Sequence, residues 1–167
     1  HATNVNFGLA PITEYSYCAS PNLNIPDNNP TGVSTQLMVT DGDILAGITC
    51  SVNVTHTWKG DLVLELTSPL GTTVRLHNRT GGSTDNIVAH YGVDTAVDGP
   101  GTLADFAGQF PIGMWTLHLV DAAGSDTGRL NSWCLNTKVT SYVVANEVPN
   151  VTVAVNGVVV VDRAHTR

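Results

Sequence analysis

Asp126-Thr127-Gly128 carries the D-[ST]-G spelling used by aspartic proteases. That chemistry needs two carboxylates sharing one proton, hence a second copy or a homodimer. The chain holds one copy, and polar Gly124-Ser125 precede it where a buried strand would be required. Asp126 is therefore read as a turn residue of the Asx type. Six histidines and many serines invite a search for a triad. No Gly-x-Ser-x-Gly elbow is present to expose a nucleophile. No H-x-x-x-H or H-E-x-x-H spacing offers a catalytic zinc. His56 lies beside Trp58 on the apolar face of a strand pattern and is read as a hydrogen-bonded core residue. No catalytic residue is assigned.

The aspartates suit calcium better, because hard cations want several oxygens from converging loops. If the strands alternate strictly up and down, loops bearing Asp27, Asp61 and Asp85 share one end. Those bearing Asp41, Asp43, Asp94, Asp98, Asp121 and Asp126 then share the other. Asp27, Asp61, Asp94, Asp121 and Asp126 are the candidate ligands of a structural calcium, although no Asp-x-Asp-x-Asp-Gly loop is present. Cys18, Cys50 and Cys134 lie far apart with no C-x-x-C spacing, which disfavours a zinc ribbon. Two of them could form a disulfide and leave one buried thiol, or all three could stay reduced.

The elements that position these residues are strands. The chain has 167 residues, of which 42% are apolar and only 13% charged, with 16 glycines and 8 prolines. This excludes wholesale disorder, and no apolar run reaches the ~18 residues of a membrane span. A net charge of −7 lacks the basic footprint of a nucleic-acid binder. Period-two patterns run at roughly 34–40, 46–58, 61–68 and 72–78. Weaker ones cover 86–91 and 102–107. Trp115, Leu117 and Leu119 alternate inward, and a long last strand runs from Leu130 to Val139. Tyr15, Tyr17, Trp58, Trp115 and Trp133 all fall on inward faces. Several short strands with regular turns predict an all-β, jelly-roll β-sandwich of about eight to nine antiparallel strands. Residues 1–13 read as a linker and 14–139 as the domain. Residues 140–167 form a Val-rich tail, with a hairpin expected around Asn156-Gly157.

Six segments together resemble the P domain (P/Homo B), which accompanies the catalytic domains of secreted proteases. They are Ile25-Pro-Asp-Asn28, His56-Thr-Trp-Lys-Gly-Asp-Leu62, Thr67-Ser-Pro-Leu-Gly-Thr72, Gly81-Gly-Ser-Thr-Asp-Asn-Ile87, Gly113-Met-Trp-Thr-Leu117 and Asp126-Thr-Gly-Arg-Leu-Asn-Ser-Trp133. In order, they cover residues 14–138. The resemblance makes His56, Trp58, Gly60, Asp61, Asp126, Gly128, Asn131 and Trp133 structural motif residues.

The resemblance implies a jelly roll without catalysis that helps a neighbouring protease domain fold and stay folded. It also implies secretion or cell-surface display, in a bacterial protein, and no nucleic-acid or membrane partner. The module is expected to be monomeric. First and last strands are often neighbours in a jelly roll, and Cys18 and Cys134 each follow an inward aromatic. That parity predicts a Cys18–Cys134 disulfide, with Cys50 a buried thiol. Asp126 and Asn131 are expected to satisfy backbone groups where the last strand begins. The rival reading is a surface adhesin or carbohydrate-binding jelly roll.

Overall fold

In β4 (Ile44–His56), Ile48, Cys50, Val52, Val54 and His56 turn inward and Thr49 to Thr55 alternate with them. The same period of two builds eight further strands of the sandwich. They are β1 (Ile12–Ala19), β2 (Leu23–Ile25), β3 (Asn29–Val39), β5 (Leu62–Thr67), β6 (Thr73–Asn78), β7 (Ile87–Tyr91), β8 (Gly113–Asp121) and β9 (Gly128–Thr140). The computed structural model describes residues 11–141, 153–155 and 158–160. One sheet has the order β1-β9-β4-β7, with β2 also on β9, and the other β3-β8-β5-β6. Every pairing within the two sheets is antiparallel. With β2 set aside, each sheet alternates early and late strands, which is the jelly-roll arrangement.

The core lies between the sheets. Leu62, Leu64, Leu66, Trp115, Leu117, Leu119, Trp133 and Leu135 are buried there. Phe106 meets Trp115 edge to face at 5.0 Å. Cys18 and Cys134 are register partners on β1 and β9 and form a disulfide, while Cys50 is free and buried. Burial pushes the Cys50 thiol up from 9.0 to about 12. Since only the thiolate attacks, its reactive fraction at pH 8 falls about a thousandfold. A thiol reagent at pH 8 should therefore label Cys50 only after denaturation. Labelling of the native chain at the rate of an exposed thiol would contradict this packing.

Four expectations are corrected. Residues 102–107 are not a strand. Thr102 opens a 3-10 turn, Leu103–Phe106, closed by a capping box with Asp105, whose carboxylate accepts from the Thr102 amide (3.1 Å) and hydroxyl (2.9 Å). Losing that strand reverses the up-down count for everything after it. The loops 26–28, 57–61, 79–86 and 122–127 therefore gather at one end, called here the motif end. Asp121 and Asp126 join Asp27 and Asp61 there, rather than Asp41 and Asp43 at the opposite end. Trp58 is not inward, because β4 stops at His56, and it is 44% exposed. Tyr15 is 43% exposed on the edge strand β1, whereas Tyr17 packs against the core.

Ile12 and Thr13, expected in the linker, already pair with Thr140 and Val139. Residues 1–10 of that linker lie outside the described residues. In the Val-rich tail, β10 (Val153–Val155) and β11 (Val158–Val160) pair antiparallel with Val155 opposite Val158. Asn156 and Gly157, on which the turn type rests, lie outside the described residues.

Candidate functional site

The motif end is built around one imidazole. His56 ends β4 with its ring fully buried. Its Nδ1 accepts the Trp58 amide at 3.1 Å, so Nε2 must carry the proton. Nε2 then donates to Oδ2 of Asp121 at 3.1 Å, and that side chain is also fully buried. The other Asp121 oxygen accepts the Ala123 amide at 3.2 Å. A buried carboxylate is tolerable only with such partners.

The two glycine-bearing loops lock onto this pair. Asn86 accepts the His56 amide through its side chain (3.0 Å) and donates its own amide to the His56 carbonyl (2.8 Å). Lys59 and Gly60 donate to the carbonyls of Thr84 (2.9 Å) and Gly82 (3.0 Å). A Cβ on Gly60 would sit 2.8 Å from the Gly82 Cα, so only glycine permits this approach. Gly128 is required in the same way, because a Cβ there would lie 2.3 Å from the His56 Cδ2. The glycine of Asp-Thr-Gly thus makes room for a histidine ring rather than for a protease active site. The Asp61 carbonyl accepts the Ala122 amide at 2.9 Å, which ties the turn after β4 to the end of β8.

Asp126 and Asn131 do not act as expected. The Asp126 carboxylate accepts the hydroxyl of Thr57, a side chain and not a stranded backbone group. Asn131 donates to Asn53 Oδ1 (3.0 Å) and Thr55 Oγ1 (2.8 Å) and accepts from Arg129 Nε (3.2 Å). The bonds to Asn53 and Thr55 stitch β9 to β4 across the outer face. Asn131 makes them from the register shift that separates the Asn53–Ser132 and Val54–Leu130 pairs.

The calcium candidates separate in a similar way. Asp27 accepts the Ser125 amide at 3.3 Å, Asp121 is taken by His56, and Asp126 by Thr57. The Asp61 carboxylate lies 3.9 Å from the Arg79 guanidinium. Asp94 follows β7, at the end of that strand away from the motif loops. Among the described residues, no three His, Cys, Asp or Glu side chains converge to hold a metal. Of the five candidates, Asp27, Asp61, Asp121 and Asp126 thus each face a donor of the chain itself, and Asp94 stands at the other end.

Chemistry that the sequence does not disclose also fails to assemble. Ser34 and Ser51 hydrogen-bond His118 and His90 on the outer faces, each at 2.9 Å. A nucleophile needs its base oriented by a third group. Glu65 stands opposite His118 in register but is held by Arg75 at 2.7 and 2.9 Å. No carboxylate among the described residues hydrogen-bonds either ring. Local sequence holds no signal for these pairs, since their members lie on different strands.

Residues 45–137 match the proprotein convertase P-domain. The chain is 36% identical over 120 residues to leupeptin-inactivating enzyme 1 of Streptomyces exfoliatus, covering 71% of this chain and 25% of that protein. It is 34% identical to a calcium-dependent protease of Trichormus variabilis, covering 65% of this chain and 16% of that protein. The chain thus spans a quarter or less of these relatives. A serine protease of Aeromonas sobria, solved with its chaperone, shares the fold with a TM-score of 0.61 at 18% identity, over 80% of this chain and 28% of that one. With more than half of its length matched and its motif loops accounted for, the chain belongs to the proprotein convertase P-domain family.

Proposed function

We propose that this P domain is a non-catalytic accessory module that stabilises an adjacent protease catalytic domain in a secreted bacterial protein. One observation carries the reading. The polar motif residues are used up internally, with His56 and Asp121 sealed from solvent and Asp126 held by Thr57. A module of this kind would act by docking on a partner. A domain that docks on a native partner, but not on its unfolded chain, shifts the partner's folding equilibrium by the docking energy. About 3 kcal/mol suffices for more than a hundredfold.

The Cys18–Cys134 disulfide supports an oxidising compartment. No helix among the described residues is long and apolar enough to cross a membrane. The carbohydrate-binding rival needs an exposed aromatic platform. Trp58 and Tyr15 are half-exposed, but Trp58 lies in the motif-end turn after β4 and Tyr15 on the edge strand β1 opposite Thr137, so they do not form one.

Two results are expected. The isolated chain should hydrolyse neither casein nor fluorogenic peptides. Deleting residues 14–139 from the parent protein should lower secreted yield far more than kcat. Activity in the isolated chain that is lost in Asp126→Asn would reverse the reading. Calcium has no required role in it. EDTA should leave the melting temperature of the isolated chain unchanged, whereas a fall on chelation would assign the motif-end carboxylates to an ion.

A further inference from the structure

Five large apolar side chains, 42–67% exposed, gather at the end opposite the motif loops. Met38 and Met114 are register partners on β3 and β8, and they face outward because Leu37, Val39 and Trp115 face the core. Ile112 and Phe110 lie just upstream of Met114, in the segment whose Gln109 carbonyl caps the start of β4 through the Leu45 amide (2.8 Å). Leu70 stands in the turn after β5. That turn lies against β8, since a Cβ on Gly113 would meet Pro69 Cβ at 2.9 Å. These residues are half of the ten large apolar side chains exposed among the described residues. Scattered exposed apolar residues are ordinary, but a cluster of this kind marks an interaction surface.

The covalent connections indicate what covers it. Ile12, which opens β1, pairs with Thr140, which ends β9, so both connections leave the sandwich at the patch end. A domain joined through either connection is therefore tethered from the end of the sandwich that carries these five side chains. Met, Phe, Ile and Leu with no basic residue among them fit an apolar protein surface. We infer that Met38, Leu70, Phe110, Ile112 and Met114 form the seat on which the parent protease's catalytic domain docks in cis. The inference rests on the accessory reading above and gives it an interface.

The test uses the full-length parent. Phe110→Lys/Met114→Lys should shorten the thermal half-life of proteolysis about tenfold or more, while Val88→Lys, on the outer face of the other sheet, should not. The double variant of the isolated chain should melt as the unsubstituted chain does, since neither side chain is in the core. Hydrogen exchange keeps the test decisive even if the variant folds poorly. The amides of Gln109, Phe110, Ile112, Gly113 and Met114 should be slower to exchange in the unsubstituted parent than in the isolated chain. Equal exchange, or an unchanged half-life while deletion of 14–139 still shortens it, overturns the docking seat and leaves the accessory role standing. If the deletion itself has no effect, the accessory role fails instead. Protection already present in the isolated chain and lost when 142–167 are removed would assign the patch to the chain's own tail and overturn the proposal.

Discussion

Cys18→Ser/Cys134→Ser is expected to lose up to roughly 4–5 kcal/mol of folding stability, the largest effect of any change outside the core. The two residues are 116 apart in sequence, so the bond closes nearly the whole module and removes much of the freedom of the unfolded chain. Without it, β1 is an edge strand held on one side only, by β9. Urea unfolding of the variant against the unsubstituted chain gives the value directly. The Cys50→Ser chain serves as the control for altered thiol chemistry. A loss below about 1 kcal/mol would mean that the β1–β9 pairing holds the unfolded chain together without the bond.

Asp121→Ala should come next, at roughly 3 kcal/mol. It strands the Nε2–H of a fully buried histidine and the Ala123 amide together, and each such donor costs about 1–3 kcal/mol. Asp121→Asn keeps one acceptor oxygen for two donors and should recover part of the loss. The same variants test whether His56 organises the motif end. Amide exchange at Lys59, Gly60 and Asn86 should quicken in Asp121→Ala, because their bonds converge on the loops around the ring. Equal stability of all three chains would show that the pair is incidental.

The sandwich was legible wherever one face of a strand is buried. Ile48 to Val54, Leu62 to Leu66 and Trp115 to Leu119 alternate cleanly, because core contact on one side and water on the other impose a period of two. The disulfide followed from the same parity once first and last strands were placed together. Failure came where a few apolar residues mimic a strand. The weak pattern at 102–107 reads as a strand, whereas Thr102 and Asp105 stand at capping-box spacing and the segment folds as a 3-10 turn. That single miscount put Asp121 and Asp126 at the wrong end.

Trp58 shows a second limit. Its alternation with His56 continues on paper, but the strand has already ended where Asn86 takes the His56 amide. The His56–Asp121 pair joins residues 65 apart, and no local pattern announces it. The apolar patch is hidden for the same reason. Met38 and Met114 look like isolated strand residues until the register sets them side by side.

The role proposed for this domain is to hold a catalytic neighbour folded. The most direct measurement is the thermal half-life of the parent protease with and without residues 14–139, at matched secretion levels, alongside kcat. Removal of the domain should shorten the half-life at least about tenfold, with kcat within about twofold. A truncated enzyme with unchanged half-life and unchanged yield would contradict it.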